Sequence, residues 1–243
     1  APFAGNDFAV FLDSSQINHD QARYSYIMMD PVQVWQNATT LFDDVQHFLR
    51  ENKRPTLDDL PPFQGGICGY CGYELLHQIE QISEKDKDFF QIPEAILAYY
   101  DVVLAFDHRL EKAWIISQTG EERAFDFLDK IKKAHHRTQT TFHIPTSLNW
   151  TSSITQTDYI AKVDQVIEYI KAGDIFQANL TQRFEAVLPL SFDTYAFYQH
   201  LRKKNPAPFS AFLSYENFKI ASTSPERFIK ASGLFIETCP IKA

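Results

Sequence analysis

The 243 residues carry a formal net charge of −8, and 44% of them are hydrophobic, enough for one large domain or for one domain and part of a second. The negative overall field disfavours nucleic acid and anionic membrane as partners, because both are bound through basic surface, although a local cation can still hold a small anion. The apolar runs are too short to cross a bilayer as a helix, and residues 1–7 lack the basic and apolar regions of an intact secretory signal.

In chain order, Phe8–Leu12 reads as a strand stopped by Asp13-Ser14-Ser15, and Arg23–Met29 as another stopped by Asp30-Pro31. Leu41, Val45, Phe48 and Leu49 recur at helical spacing and predict a helix over Thr40–Glu51. The glycine-rich stretch Gly65–Tyr73 contains Cys68 and Cys71 as a C-x-x-C. No second cysteine pair completes a zinc set, and the pair opens no helix, so both are expected to be small packing residues. Three cysteines make no disulfide framework, which points to the cytoplasm. Ala95–Phe106 is a long β-like run, turned by residues 107–112 and returning over Ala113–Ser117 as a hairpin. A polar helix follows near Glu121–His135.

Residues 136–153 are polar and aperiodic and read as a boundary, dividing the chain into regions 1–140 and 150–243. Beyond it, Thr157 is the expected N-cap of a helix that carries Ile160, Val163, Ile167 and Ile170 and ends at Gly173. The alternation of Ile175–Phe184 predicts a half-buried strand with Gln177, Asn179 and Arg183 on one face. A helix over Asp193–Lys204 precedes four short strands, at 210–215, 219–222, 227–230 and 234–238, expected to form an antiparallel meander. Strands and helices that come in runs indicate an α+β fold.

Four segments in this order resemble the chorismate-utilising family, which includes aminodeoxychorismate, anthranilate and isochorismate synthases. They are Gly65–Tyr70 with Tyr73-Glu74, Ala172–Phe184, Ser224-Pro225-Glu226-Arg227-Phe228, and Glu237–Lys242. The likeness covers nearly the whole chain and implies antiparallel sheets packed as a sandwich with flanking helices, the anthranilate-synthase-like chorismate-binding fold. The final Pro240-Ile241-Lys242 is similar to the P-I-K-G-T of the aminodeoxychorismate branch, where the anthranilate branch has P-I-A-G-T. Ala243 departs from the family glycine. The second half of the chorismate-binding domain, with its acidic Mg²⁺ ligands, is expected beyond residue 243.

The resemblance implies amination of chorismate at C4, with ammonia from a glutamine amidotransferase subunit. Lys242 is then the candidate nucleophile, since a lysine there can attack ring carbon C2 once deprotonated. Glu226 is the candidate general acid for the departing 4-hydroxyl. Gln177, Asn179 and Arg183 are the candidate substrate-binding residues. Asp13, Ser14, Tyr24, Pro208 and Phe209 resemble the lining of a tryptophan site in relatives, with the Asp13 carboxylate and Ser14 hydroxyl facing the amino group. Anthranilate or isochorismate/salicylate synthesis, or a non-catalytic module that binds a ligand or the glutaminase, is the alternative.

Overall fold

The computed structural model describes residues 3–36, 39–81, 92–134, 145 and 148–241. The chain divides into two compact units, Phe142–Asp193 and a larger one that joins Ala1–Thr141 to Thr194–Ala243. The grouping is therefore not linear in sequence.

The larger unit begins with β1 (Ala9–Asp13), β2 (Tyr24–Met28) and β3 (Gln33–Gln36), then helix α1 (Leu41–Glu51) and β4 (Gly66–Cys71). A short helix α2 (Leu76–Ile79) leads to β5 (Ala95–Tyr100), β6 (Val102–Asp107), β7 (Lys112–Ser117) and helix α3 (Glu121–Ala134). The smaller unit holds β8 (Trp150–Ser152), α4 (Gln156–Ala172) and β9 (Phe184–Ala186). The chain then returns through α5 (Thr194–Lys204), β10 (Phe209–Ser214), β11 (Lys219–Ser224), β12 (Lys230–Ser232) and β13 (Phe235–Glu237).

Six strands form one antiparallel sheet in the order β11-β10-β1-β2-β6-β7, and three form a second in the order β3-β5-β4. Alternation decides what each strand buries. Val10, Met28, Val103, Ala105 and Leu213 from the six-stranded sheet meet Ile96, Ala98 and Tyr100 from the three-stranded one in a single core. Fully burying a Val, Leu or Met side chain contributes roughly 1.5–3 kcal/mol, so this seam dominates the stability of the unit. The other face of the six-stranded sheet is covered by α3, through Phe127 and Ile131 against Ile27, Val102 and Leu104. Tyr198 of α5 packs on that sheet too, its ring 5.5 Å from that of Phe212. Leu41 and Val45 of α1 lie with Trp35, Ala95 and Leu97 on the three-stranded sheet. The result is a sheet sandwich flanked by helices, as expected.

The run over Ala95–Phe106 is two strands, not one. β5 belongs to one sheet and β6 to the other, and the chain crosses between them at Asp101. Both halves are apolar because both feed the shared core, so periodicity cannot reveal the break. A carboxylate buried at such a crossing needs partners. Asp101 is 2% exposed and accepts from Arg123 Nη2 at 2.6 Å, Arg123 Nε at 3.0 Å and the Thr119 hydroxyl. The glycine-rich stretch is β4, paired with β5, which the composition did not suggest. A Cβ on Gly69 would sit 1.9 Å from the Ile96 carbonyl oxygen, so only glycine permits that approach. Cys68 packs against the core, where burial pushes its thiol up to about 12, while Cys71 is exposed; both are free.

Three expectations for the second half are corrected. Helix α4 is capped by Thr155 rather than Thr157: the Thr155 hydroxyl accepts from the Asp158 N–H at 3.1 Å. Its end is as expected, with Gly173 left-handed at φ 85. The strand expected over Ile175–Phe184 does not form. Only Phe184–Ala186 pairs, with β8, because an extended segment becomes a strand only where a neighbour takes its backbone hydrogen bonds. The four-strand meander is two separate hairpins: β10–β11 joins the six-stranded sheet beside β1, whereas β12–β13 pairs only with itself. Among the described residues no helix is long and apolar enough to cross a membrane.

Candidate functional site

At the end of β1 a polar network lies beneath α5. Asp13 is 4% exposed and accepts from Arg202 Nε at 2.5 Å, Arg202 Nη2 at 3.0 Å and the Tyr198 hydroxyl at 3.0 Å. Tyr198 and Arg202 stand one helical turn apart, so both reach the same carboxylate. Burial lowers the affinity of the Arg202 guanidinium for its proton, but the bonds to Asp13 outweigh this and raise it. Ser25 joins the network from β2. Its hydroxyl accepts from the Ser14 N–H at 3.0 Å and lies 2.7 Å from His108 Nε2 and 3.4 Å from Asp13 Oδ1.

The five residues expected around an amino-acid ligand lie close together here. Ser14 donates its hydroxyl hydrogen to the Tyr24 carbonyl at 2.7 Å and lies 3.3 Å from the Pro208 carbonyl. Phe209 follows Pro208 into β10, whose Ser210 pairs with Asp13 of β1. The Asp13 carboxylate, however, already holds Arg202. The groups that converge on this spot are therefore the Ser14 hydroxyl and two backbone carbonyls, which suit an ammonium by the acceptors they offer. Arg202, Tyr198 and His108 are additions to the residues that the resemblance suggests. The spacing of Tyr198 and Arg202 on a predicted helix was the available signal for two of them.

The Ser224–Phe228 motif links β11 to β12. Glu226 is exposed, and its carbonyl accepts from the Ser224 hydroxyl at 2.9 Å. Arg227 does not pair with its neighbour Glu226. It forms an ion pair with Glu237 across the hairpin, and its guanidinium carbon lies 5.4 Å from the Phe209 ring centre. The Thr238 hydroxyl donates to the Phe228 carbonyl at 3.2 Å. In the β12–β13 ladder Lys230 faces Glu237, so the segments carrying Glu226 and Ile241 leave the same, open end of the hairpin. Phe228 and Phe235 are 87% and 82% exposed. Lys242 lies outside the described residues.

Gln177, Asn179 and Arg183 are all exposed and belong to the smaller unit, whereas Glu226 belongs to the larger one. They do not share a strand face, because no strand forms there. Arg183 Nε reaches Glu185 at 2.5 Å. Among the described residues no three of His, Cys, Asp and Glu come together as a metal cage.

Comparison with known proteins gives the class. The family model described as chorismate binding enzyme matches residues 10–243. The chain belongs to the chorismate-binding enzyme family. Among curated relatives it is 32% identical to aminodeoxychorismate synthase component 1 of Escherichia coli, over 97% of this chain and 54% of that protein. It is 30% identical to the Salmonella typhimurium protein of the same name, over 100% of this chain and 56% of that protein. Anthranilate synthase component 1 of Acetivibrio thermocellus is 29% identical over 98% of this chain and 55% of its own length. The chain thus spans about half the length of these relatives. The crystal structure of anthranilate synthase component I from Streptococcus pneumoniae superposes with a TM-score of 0.72 at 24% identity, covering 88% of this chain and 53% of that one, which shows the fold.

Proposed function

We propose that the protein to which this chain belongs aminates chorismate at C4, giving 4-amino-4-deoxychorismate for para-aminobenzoate and folate synthesis. The observation that carries this reading is Lys242 in Pro240-Ile241-Lys242, at the position that resembles the lysine of the aminodeoxychorismate branch. The two aminodeoxychorismate synthase relatives support it. The neutral Lys242 amine attacks C2 of the ring, the double bonds shift, and the 4-hydroxyl leaves as water with a proton from Glu226. Ammonia then attacks C4 and the lysine departs from C2, so chorismate and ammonia become the aminated diene and water. A free lysine titrates at about 10.4, so the nucleophile has to be held below that value in its site.

Glu226 serves as the acid only where solvent is kept from it, and it is exposed in this chain. On this reading the remaining length of the protein supplies that cover and the basic contacts to the substrate carboxylates. Acidic residues beyond position 243 then hold Mg²⁺. A separate glutamine amidotransferase delivers the ammonia, in keeping with the "component 1" in the relatives' names. Tryptophan at Ser14, Tyr24 and Pro208 is a second ligand on the same reading, and the cytoplasm is the proposed compartment.

Product analysis tests the reaction. The full-length protein given chorismate, Mg²⁺ and an ammonium salt is expected to release a ring that carries the 4-amino group and still bears its enolpyruvyl group. Lys242→Ala is expected to stop this amination while the protein stays folded. Anthranilate or isochorismate as the wild-type product would transfer the assignment to another branch, and unchanged product from Lys242→Ala would remove the covalent step.

A further inference from the structure

We infer that Arg227 is a positioning residue that holds the arm of the general acid against the strand from which the chain runs on to the nucleophile; this rests on the roles proposed above for Glu226 and Lys242. Arg227 follows Glu226 directly, and its ion-pair partner Glu237 lies on the arm that runs on to Lys242. One guanidinium therefore bridges the two arms at the open end of the β12–β13 hairpin. Its guanidinium carbon also lies over the ring of Phe209, and Phe209 is paired with Ser224 in the six-stranded sheet. Three segments meet on a single side chain: the sheet, the arm of the acid and the arm of the nucleophile. The Ser224 hydroxyl to the Glu226 carbonyl and the Thr238 hydroxyl to the Phe228 carbonyl flank this staple on both sides.

Among the described residues few other contacts hold the hairpin. It shares no ladder with either large sheet, and its apolar side chains at Phe228, Leu234 and Phe235 are exposed. A lysine is not equivalent to the arginine, because a guanidinium offers several donors in a fixed fork and can meet a carboxylate and a ring at once, whereas an ammonium is a single point charge. Misplacing a reacting group by about 1 Å is enough to cost on the order of a hundredfold in rate. A positioning role therefore appears in turnover rather than in substrate affinity.

The test uses the full-length protein and follows chorismate consumption, so that its outcome is separate from the identity of the product. Arg227→Lys and Glu237→Gln are each expected to lower kcat roughly ten- to a hundredfold with KM for chorismate nearly unchanged. The double variant is expected to be no slower than the slower single one, because both remove the same bridge. Phe209→Leu, which keeps the apolar bulk and removes the ring face, is expected to lower kcat by a smaller factor. A rise in KM at unchanged kcat would make Arg227 a substrate contact and overturn the inference. Additive losses, or wild-type kcat in folded Glu237→Gln, would overturn it as well. If Arg227→Lys does not fold, Glu237→Gln and Phe209→Leu decide the matter. A wild-type product lacking the 4-amino group would sink the proposed reaction while leaving the effect on chorismate consumption to be read.

Discussion

Asp13–Arg202 and Glu237–Arg227 are the same chemical pair in opposite settings. The first lies under α5, where the carboxylate side chain is 2% exposed, and it also holds Tyr198. The second joins two hairpin arms, with the Glu237 side chain 49% exposed. Removing one member of a buried pair strands a charge without solvent, which is costly; an exposed pair is screened by water and contributes little to stability. The contrast teaches that the first pair specifies where α5 sits on the sheet. The second adds almost nothing to stability and is better understood through the geometry that it imposes on its neighbours.

Four measurements put that contrast to the test. The largest effect is expected for Asp13→Ala, which leaves the buried Tyr198 hydroxyl without its acceptor and the half-buried Arg202 without its carboxylate; urea unfolding should show a loss of about 2–4 kcal/mol. A loss under about 1 kcal/mol would mean that the pair does not hold α5 to the sheet. Asp101→Asn comes next, at about 1–3 kcal/mol near neutral pH, since it weakens charge-assisted bonds from Arg123 and Thr119. This second variant also carries a pH signature. Burial raises the Asp101 pKa, but the bonds from Arg123 and Thr119 outweigh it and hold the group below its ordinary 3.8. The stabilisation is therefore complete above that value and is lost as the pH falls below it, through the folded-state value. Acid titration of stability should be flatter in Asp101→Asn than in the wild type, and equal slopes would remove Asp101 as a cause.

Thr155→Ala should cost about 1 kcal/mol, because it removes the cap of α4, and helix content by circular dichroism should fall with it. An unchanged melting curve would show that α4 does not depend on that cap. The smallest effect is expected for Glu237→Gln, within about 1 kcal/mol of wild type despite the visible ion pair. Should it cost as much as Asp13→Ala, the comparison between buried and exposed pairs fails.

The parts of the fold legible in sequence share one property: they are governed by local patterning. The spacing of Leu41 and Val45 foretold α1, Gly173 foretold the end of α4, and Asp107–Lys112 foretold the β6–β7 turn. The four ordered motifs pointed to the family that the comparison then showed. Ser14, Tyr24 and Pro208, which the resemblance groups together, lie within hydrogen-bond reach through the Ser14 hydroxyl. The failures share a property too. Ile175–Phe184 alternates like a strand but lacks a partner along most of its length, and Gly66–Cys71 does not look like a strand but finds one in β5.

By itself, then, the amino-acid sequence determined the class of fold, most of the helices and turns, and the family, because periodicity and turn chemistry are properties of neighbouring residues. Tertiary structure alone decided which sheet each half of the Ala95–Asp107 stretch enters. It also paired Asp13 with Arg202, and Arg227 with Glu237 rather than with its neighbour Glu226. Those outcomes depend on groups brought together from distant parts of the chain. Burial and competition among hydrogen-bond donors settle them, and neither is written in local spacing.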